Sequence, residues 1–560
     1  MLTLIFSITT VIITVYGQGV IFNNIFNKIE SNHKNFNETL IFGIIFLSFN
    51  VLVINFFLPI SKYVGTIFLI ISVICFFFIF FRSSHKAKYL KKILILNILT
   101  FLLVAFSNIN RPDAGLYHLP YVSIINENPI IFGIANIHFR FGHISIIQYL
   151  SSIFNNFILV REAILIPLAI IFSCIIVLIY SNLQKNLKSK NIHLSIILFF
   201  LIIFSIYSFN RYSSYGNDAP AHLFFILLIV NTILQKKTDI KFFSNIFLFI
   251  VFLFLIKPFM VILAPVIIYL FFKIKIQISD LFDRKIIFSS AFLFFWIVKN
   301  IITSGCVIYP MSLTCSNYFD YYDSVKTNVE EISGEAWSKD WVNYEEKQHT
   351  IEDYNKNFNW IKTWSDNHLK KVIEKFGPFF LFVLLFSLIF FIHRNQKKRN
   401  YKFLLCIEIK FFLLFLFFWT LIWFLKFPIY RYGSSFLSVL CIFISIFFLK
   451  EYSFSRNFHV IKKIINCTII FGVIVFFLKN SYRIIDNPEQ NFIWPQIYNL
   501  SYNKQIKPQN FKKISLNKGG YYFFSNGELC MYSNSPCTHI KLDDISFSKK
   551  FNYYKIYLKK

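Results

Sequence analysis

Charge is what this chain lacks most. Charged residues fill 15% of its 560 positions, against about 25% in an ordinary soluble domain. That is too little to solvate a chain that is 56% apolar and carries 75 Phe, so a soluble enzyme and a disordered chain are both excluded. Nine cysteines in 560 residues exclude a disulfide scaffold. The sequence has no βαβ pattern and no GxGxxG fingerprint, so nothing in it resembles a nucleotide-binding fold. It has no evident internal repeat and few charges inside its apolar stretches, which ranks a transporter last among the candidate functions.

What it does have is apolar blocks of the length a helix needs to cross a bilayer, about 20 residues. About fourteen are expected, at 2–22, 40–59, 64–81, 93–108, 163–180, 192–208, 220–234, 242–256, 258–272, 286–302, 378–392, 411–425, 434–449 and 461–478. The fold class is therefore an all-α polytopic membrane protein. The first block lacks a basic n-region and a small-residue cleavage site, so it is read as a retained span.

The net charge of +29 would suit nucleic acid, but its placement points elsewhere. The bases cluster at Arg82, Lys86, Lys88, Lys91 and Lys92; at Lys185, Lys188 and Lys190; and at Lys236, Lys237 and Lys241. Two further clusters are Lys273, Lys275, Arg284 and Lys285, then Arg394, Lys397, Lys398, Arg399 and Lys402. They recur at every second loop, as the positive-inside rule requires of cytoplasmic loops. Anionic membrane lipid, and no nucleic acid, is the partner implied. Both termini then face outward.

Four outward segments are too long or too polar to be simple connectors: 109–162, 209–219, 304–377 and the tail from Lys479. The third holds twelve acids against eight lysines between Asp320 and Lys375. The tail places Asn526–Gly527 between β-prone runs, a signal for a hairpin with a type I′ turn. The expected division is a multi-span domain over 1–480 and a small extracytoplasmic α+β segment over 481–560. Cys306 and Cys315 share one outward loop, and Cys530 and Cys537 share the tail. Two local disulfides are expected; the rival is a zinc site, which would want CxxC spacing or a His pair, and neither is present.

The first outward loop carries most of the chemistry. Asp113 is its first carboxylate, and Tyr117, His118, Asn136, His138, Arg140 and His143 follow within about thirty residues. A carboxylate there can deprotonate an acceptor hydroxyl, and an arginine can hold a leaving phosphate by paired hydrogen bonds. The plainer alternative is that Asp113 only pairs with Arg111 or Arg140. Residues 144–159 alternate polar and bulky apolar side chains, predicting an amphipathic helix at the membrane interface.

The arrangement resembles the GT-C superfamily of polytopic glycosyltransferases, which carry an acid in an early extracytoplasmic loop. Within it, Asp113-Ala-Gly-Leu-Tyr-His-Leu119 followed by Asn136-x-His-x-Arg-x-Gly142 is similar to a bacterial membrane-protein family found beside cell-surface polysaccharide genes. Further matching pieces are Gly216-Asn-Asp-Ala-Pro220, Trp296-x-x-Lys-Asn300, Ser304-Gly-Cys-x-x-Tyr-Pro310 and Pro428-x-Tyr-Arg-Tyr-Gly433, with Cys530 and Pro536-Cys-Thr538 in the tail. The resemblance runs from about Asn108 onward. It departs from the Asp-Glu pair of many protein mannosyltransferase-like members, because Ala114 follows Asp113.

The resemblance implies a bacterial inner-membrane enzyme that takes a sugar from a polyprenyl phosphate and passes it to a glycan or lipid-linked acceptor outside. Asp113 would be the base. Asp218 would support the acceptor or a divalent metal, unless it is only a helix N-terminal acid. Arg140, Lys257, Lys299 and Arg431 would bind phosphate, although Lys257 could equally snorkel to lipid. An O-antigen-type polymerase or ligase is the alternative enzyme, and a lipid-linked-glycan transporter the third. If the basic loops are cytoplasmic, reporter fusions after Lys92, Lys190 and Arg399 should score inside, and fusions near Asp113 and Asp340 outside. An Asp113 fusion that scores inside would end the lipid-linked-donor model.

Overall fold

The computed structural model describes residues 1–26, 35–107, 111–212, 215–235, 237–345, 348–394, 409–486, 492–500, 507–542, 545–550 and 553–558. Asn110, Lys236, Lys397, Lys398, Arg399 and Lys402 lie outside the described residues. Nine described helices are long and apolar enough to cross a membrane: Leu2–Phe26, Phe36–Asn55, Lys62–Arg82, Arg161–Lys188, Arg284–Ser304, Ile361–Ile392, Ile409–Lys426, Tyr430–Leu449 and Phe458–Ile485. Four more apolar helices are shorter, at Ile192–Ser208, Asp218–Leu234, Ile240–Ile256 and Pro258–Ile274. The stretch expected at 93–108 falls on the helix Lys86–Val104, whose first two turns hold four lysines. Length and composition thus support a multi-pass helical membrane protein with nine clear candidate spans, fewer than the fourteen expected.

The connections alternate between the two ends of the bundle. At the basic end, Lys92 Nζ donates to Asn35 Oδ1 at 3.5 Å, Arg284 to the carbonyl of Ile25 at 3.2 Å, and Asn457 Nδ2 to the carbonyl of His393 at 3.0 Å. At the other end Asn480 Nδ2 donates to the carbonyl of Asn210 at 3.2 Å, and Ser107 Oγ to that of Tyr212. All four long or polar segments gather at this second end.

In lipid, burying apolar surface gives helices little reason to associate, so close backbone approach and buried polar pairs do that work. Helices Leu2–Phe26, Phe36–Asn55 and Lys62–Arg82 pack this way. Gly17 faces the backbone of Ser72, Gly19 that of Thr39, and Gly43 that of Val15, each with no room for a β-carbon. Gln18 Nε2 donates to Ser72 Oγ at 2.7 Å, beside the first of these contacts.

Two expectations are corrected. Residues 144–159 do not form an interfacial amphipathic helix. Only Ile146–Ser152 is helical, and every residue in it is buried. Its polar side chains turn inward: Ser145 and Gln148 cap each other, and Gln148 also bonds His118 at 2.8 Å. In the tail, strands β1 (Lys512–Ser515), β2 (Tyr521–Phe524) and β3 (Cys537–Thr538) form one sheet; β4 (Ile545–Lys550) and β5 (Tyr553–Leu558) form a second.

Asn526 and Gly527 have φ of 51° and 84°, the signs a type I′ turn needs. Residues 528–532 nevertheless do not return as a strand, and β2 pairs antiparallel with β1 instead. The chain after the turn is drawn away to the first loop, where Met531 N–H donates to Gly115 at 2.8 Å and Tyr532 N–H to Ile497 at 2.9 Å.

The tail as a whole packs against that loop. Glu127 accepts from Ser535 N at 3.0 Å and Oγ at 2.8 Å. Around β5, Phe132 N–H donates to Tyr554 and Ile556 N–H to Phe132, both at 2.9 Å. Cys306–Cys315 and Cys530–Cys537 are disulfides, as expected.

The glycine contacts are backbone against backbone and cannot yield cheaply. Gly19→Ala should lower stability by about 1–3 kcal/mol through overpacking. Gly334→Ala, in the helix Ser324–Ser338 with open space around it, should be neutral or stabilising by up to about 1 kcal/mol. Melting of the detergent-purified variants checks both, and equal midpoints would refute the tight helix packing.

Candidate active site

Six charged residues, Arg111 among them, from four separate parts of the chain meet at the end where the polar segments gather. Asp113 stands at the entry to a wide helical turn, Ala114–His118. Such insertions into helical structure are frequent at functional sites. Arg140 lies in the short turn Phe139–His143, which His138 caps by accepting from Arg140 N–H at 3.2 Å. Asp218 opens the helix Asp218–Leu234, where the helix dipole favours an acid. Lys257 ends the helix Ile240–Ile256, because Pro258 follows and cannot continue it. Arg431 lies in the first turn of Tyr430–Leu449.

Their geometry is that of one connected network. Asp113 Oδ1 accepts from Arg140 at 2.9 Å and its Oδ2 from Arg431 at 3.2 Å. Asp218 Oδ1 accepts from Lys257 Nζ at 2.5 Å, while its Oδ2 lies 3.8 Å from Arg431 Nε and 3.7 Å from Arg111. Arg431 therefore bridges the two carboxylates. Four cations surround two acids, leaving two positive charges over. The acids are about a quarter exposed, at 25% and 22%, so the network is open to a ligand. Aromatic faces back the cations: Tyr117 lies 5.1 Å from Arg140, Tyr432 3.7 Å from Lys257, and Trp337 5.4 Å from Arg431.

The acidic loop holds Arg431 in place. Trp364 Nε1 donates to the carbonyl of Pro428 at 2.7 Å, and Ser338 Oγ to that of Lys426 at 3.0 Å. Lys426 also pairs with Glu335 at 2.9 Å. From the opposite side, His222 bonds the Arg431 carbonyl at 2.6 Å and Ser435 Oγ at 2.8 Å. His222 must donate to the carbonyl, so its other nitrogen accepts from the serine.

The other expected site residues divide. Tyr117 and His118 lie beside the network and are buried. Gln148 Nε2 donates to His118 Nδ1, and the His118 Nε2 side faces Gly216, where a β-carbon would sit 3.3 Å from it. Burial, then the charge of Asp113, pushes the Tyr117 phenol up, so it can donate a hydrogen bond but not act as a base. Asn136 and His138 are structural: Asn136 Nδ2 donates to the carbonyls of Tyr321 at 2.8 Å and Ile556 at 3.2 Å.

Lys299 stands apart, fully buried, with Nζ 3.8 Å from the Trp296 ring centre and no hydrogen-bond partner. Sequence reasoning missed Arg111 as a partner of Asp218, as well as Trp337, Tyr432 and His222. Tyr432 adjoins Arg431, and His222 falls one turn after Asp218, so both had a local signal. Trp337 had none. An apolar groove of about 750 Å³ lies elsewhere, between helices Leu2–Phe26, Lys86–Val104 and Phe458–Ile485. It contains none of the site charges.

A divalent metal does not fit this donor set. Among the described residues no three His, Cys, Asp or Glu side chains form a metal-binding group. The two carboxylates present are already committed to four cations, which would repel another.

Burial lowers His118 to about 4 and both His138 and His143 to about 3. A base lowered in the fold stabilises fully above its unfolded value, near 6.5, and loses that stability as pH falls through this window toward the folded values. Melting midpoints should therefore hold from pH 8 to 7 and drop by pH 5, by about 2 kcal/mol for each buried histidine. A midpoint unchanged at pH 5 would mean that these rings are solvated.

No curated protein and no solved structure matches the chain. A family model described as a domain of unknown function, DUF8201, matches residues 1–438, a span that includes all six network residues and the whole acidic loop but not the tail. The chain belongs to the DUF8201 family.

Proposed function

We propose that this protein is a membrane glycosyltransferase that moves a sugar from a polyprenyl-phosphate-linked donor to an acceptor at the outer face, in cell-surface glycan assembly. The observation that carries this reading is the bridge of Arg431 between Asp113 and Asp218, inside a network with two positive charges to spare. A phosphate group supplies the missing negative charge, and the network lies where a lipid-anchored phosphate would arrive. The wider setting is a fourteen-span protein of a bacterial inner membrane with both termini outside. Helices on all fourteen apolar stretches and the alternating basic loops support it.

The chemistry follows from the pairs. An incoming phosphate competes for Arg140, Arg431 and Lys257, and each arginine it draws away bares an oxygen of Asp113. That carboxylate then accepts the proton of the acceptor hydroxyl as its oxygen bonds to the sugar's anomeric carbon. The bond from that carbon to the phosphate oxygen breaks, and its electron pair leaves with the polyprenyl phosphate, which the cations hold. Asp218 keeps Lys257 and Arg431 aimed at the phosphate.

Asp113→Asn keeps the size but removes the base, and should cut sugar transfer by about 10²–10⁴-fold while the protein stays inserted and folded. Arg140→Ala should instead weaken donor engagement. Surface-glycan output in cells that depend on each variant is the measurement. A polymerase or ligase relying on arginine would tolerate Asp113→Asn, and a transporter would have no transfer to lose. Wild-type glycan from the Asp113→Asn variant would sink this mechanism.

A further inference from the structure

Two glycines stand at the same offset from the central ion pair. Gly115 follows Asp113 by two residues, and Gly142 follows Arg140 by two. Each is pressed most closely by a side chain from a disulfide-tied loop, with Leu529 also near Gly115. Met531, next to Cys530, lays its sulfur where a β-carbon of Gly115 would stand and donates its N–H to the Gly115 carbonyl at 2.8 Å. Tyr309, inside the ring closed by Cys306–Cys315, lies against Gly142, its Cδ1 2.5 Å from the place of a β-carbon. Both side chains are buried.

Neither loop is slack. Met531 has φ 52°, in the left-handed region that residues with a β-carbon seldom adopt and that persists only where the surroundings impose it. Its disulfide neighbour and the bond to Gly115 impose it here. In the other ring Val307 N–H donates to Thr314 at 3.0 Å, and Asn300 Nδ2 ties the Val307 carbonyl to the helix Arg284–Ser304 at 2.8 Å. Asp113 opens a helical run that widens at Ala114–His118 before Leu119–Glu127, and Arg140 lies in the short turn Phe139–His143, so the setting of the pair depends on what packs against the widened turn and the short one.

We infer that Met531 and Tyr309 are positioning residues that set the Asp113–Arg140 pair, and that the two disulfides serve the site by seating them. This rests on that pair being part of the working site. It extends the site to the C-terminal tail, which the family match does not reach.

The test uses the full chain in nanodiscs and needs no sugar transfer. Hydrogen exchange is followed over residues 111–119 and 138–145, with the melting midpoint and the affinity for undecaprenyl phosphate measured on the same samples. Met531→Ala should speed exchange at least tenfold in the first segment only, and Tyr309→Ala in the second only. Each should weaken undecaprenyl phosphate binding roughly tenfold, and Met531→Leu and Tyr309→Phe should restore both. Paired serine substitutions of Cys530 and Cys537, or of Cys306 and Cys315, should copy the matching alanine variant.

Unchanged exchange in the alanine variants, or loosening spread over the whole chain, would overturn the inference, as would failure of the conservative variants to rescue. Local loosening with unchanged undecaprenyl phosphate affinity would uphold the positioning role and count against the donor reading instead.

Discussion

One guanidinium decides how this site is put together. Arg431 touches carboxylates from two different loops and enters from a third part of the chain. At a half-buried position beside a bilayer, an unpaired charge is costly, and removing one partner of such a pair leaves the other stranded. The network therefore stands or falls as a unit. Asp113 orders the first loop only because Arg140 and Arg431 answer it, and Asp218 fixes Lys257 in the same way.

The surrounding architecture serves that unit. Among the described residues, no carboxylate of the acidic loop forms an ion pair with a cation of the site. The loop uses Trp364, Ser338 and Glu335 to grip the backbone and flank of the segment that carries Arg431. The tail grips the opposite side, with Glu127, Phe132 and Gly115 of the first loop all engaged by residues after 500. The helices deliver the charged residues to one end, and these two segments hold them at ion-pair distance.

Much of this was legible in the sequence, for identifiable reasons. A cation at the end of an apolar run stands out against its background, which is how Lys257 and Arg431 declared themselves; Arg140 did so within a polar loop. Close cysteine pairs within single loops announced their bridges. What stayed hidden was contact between distant parts of the chain. Residues 144–159 alternate like a surface helix, yet Gln148 turns inward to His118 and Asn155 bonds Tyr532 of a tail hundreds of residues away. The turn at Asn526–Gly527 formed with both φ angles positive, but the strand expected after it was taken by the pull of Gly115 on Met531. Lys299 shared the signature of a phosphate ligand and is instead packed on Trp296. Local pattern reports local chemistry, and it says nothing of which loop will cover which.

The docking of β5 on Phe132 has a consequence in time. Asn136 bonds Ile556 across 420 positions of sequence. A ribosome extends the chain by roughly 5–20 residues each second, so the first long loop waits on the order of tens of seconds for the segment that completes it. Until then its polar backbone must rest against water or a chaperone. A nascent chain stopped between Arg431 and its last strand would carry every charged residue of the network and still have an unfinished loop.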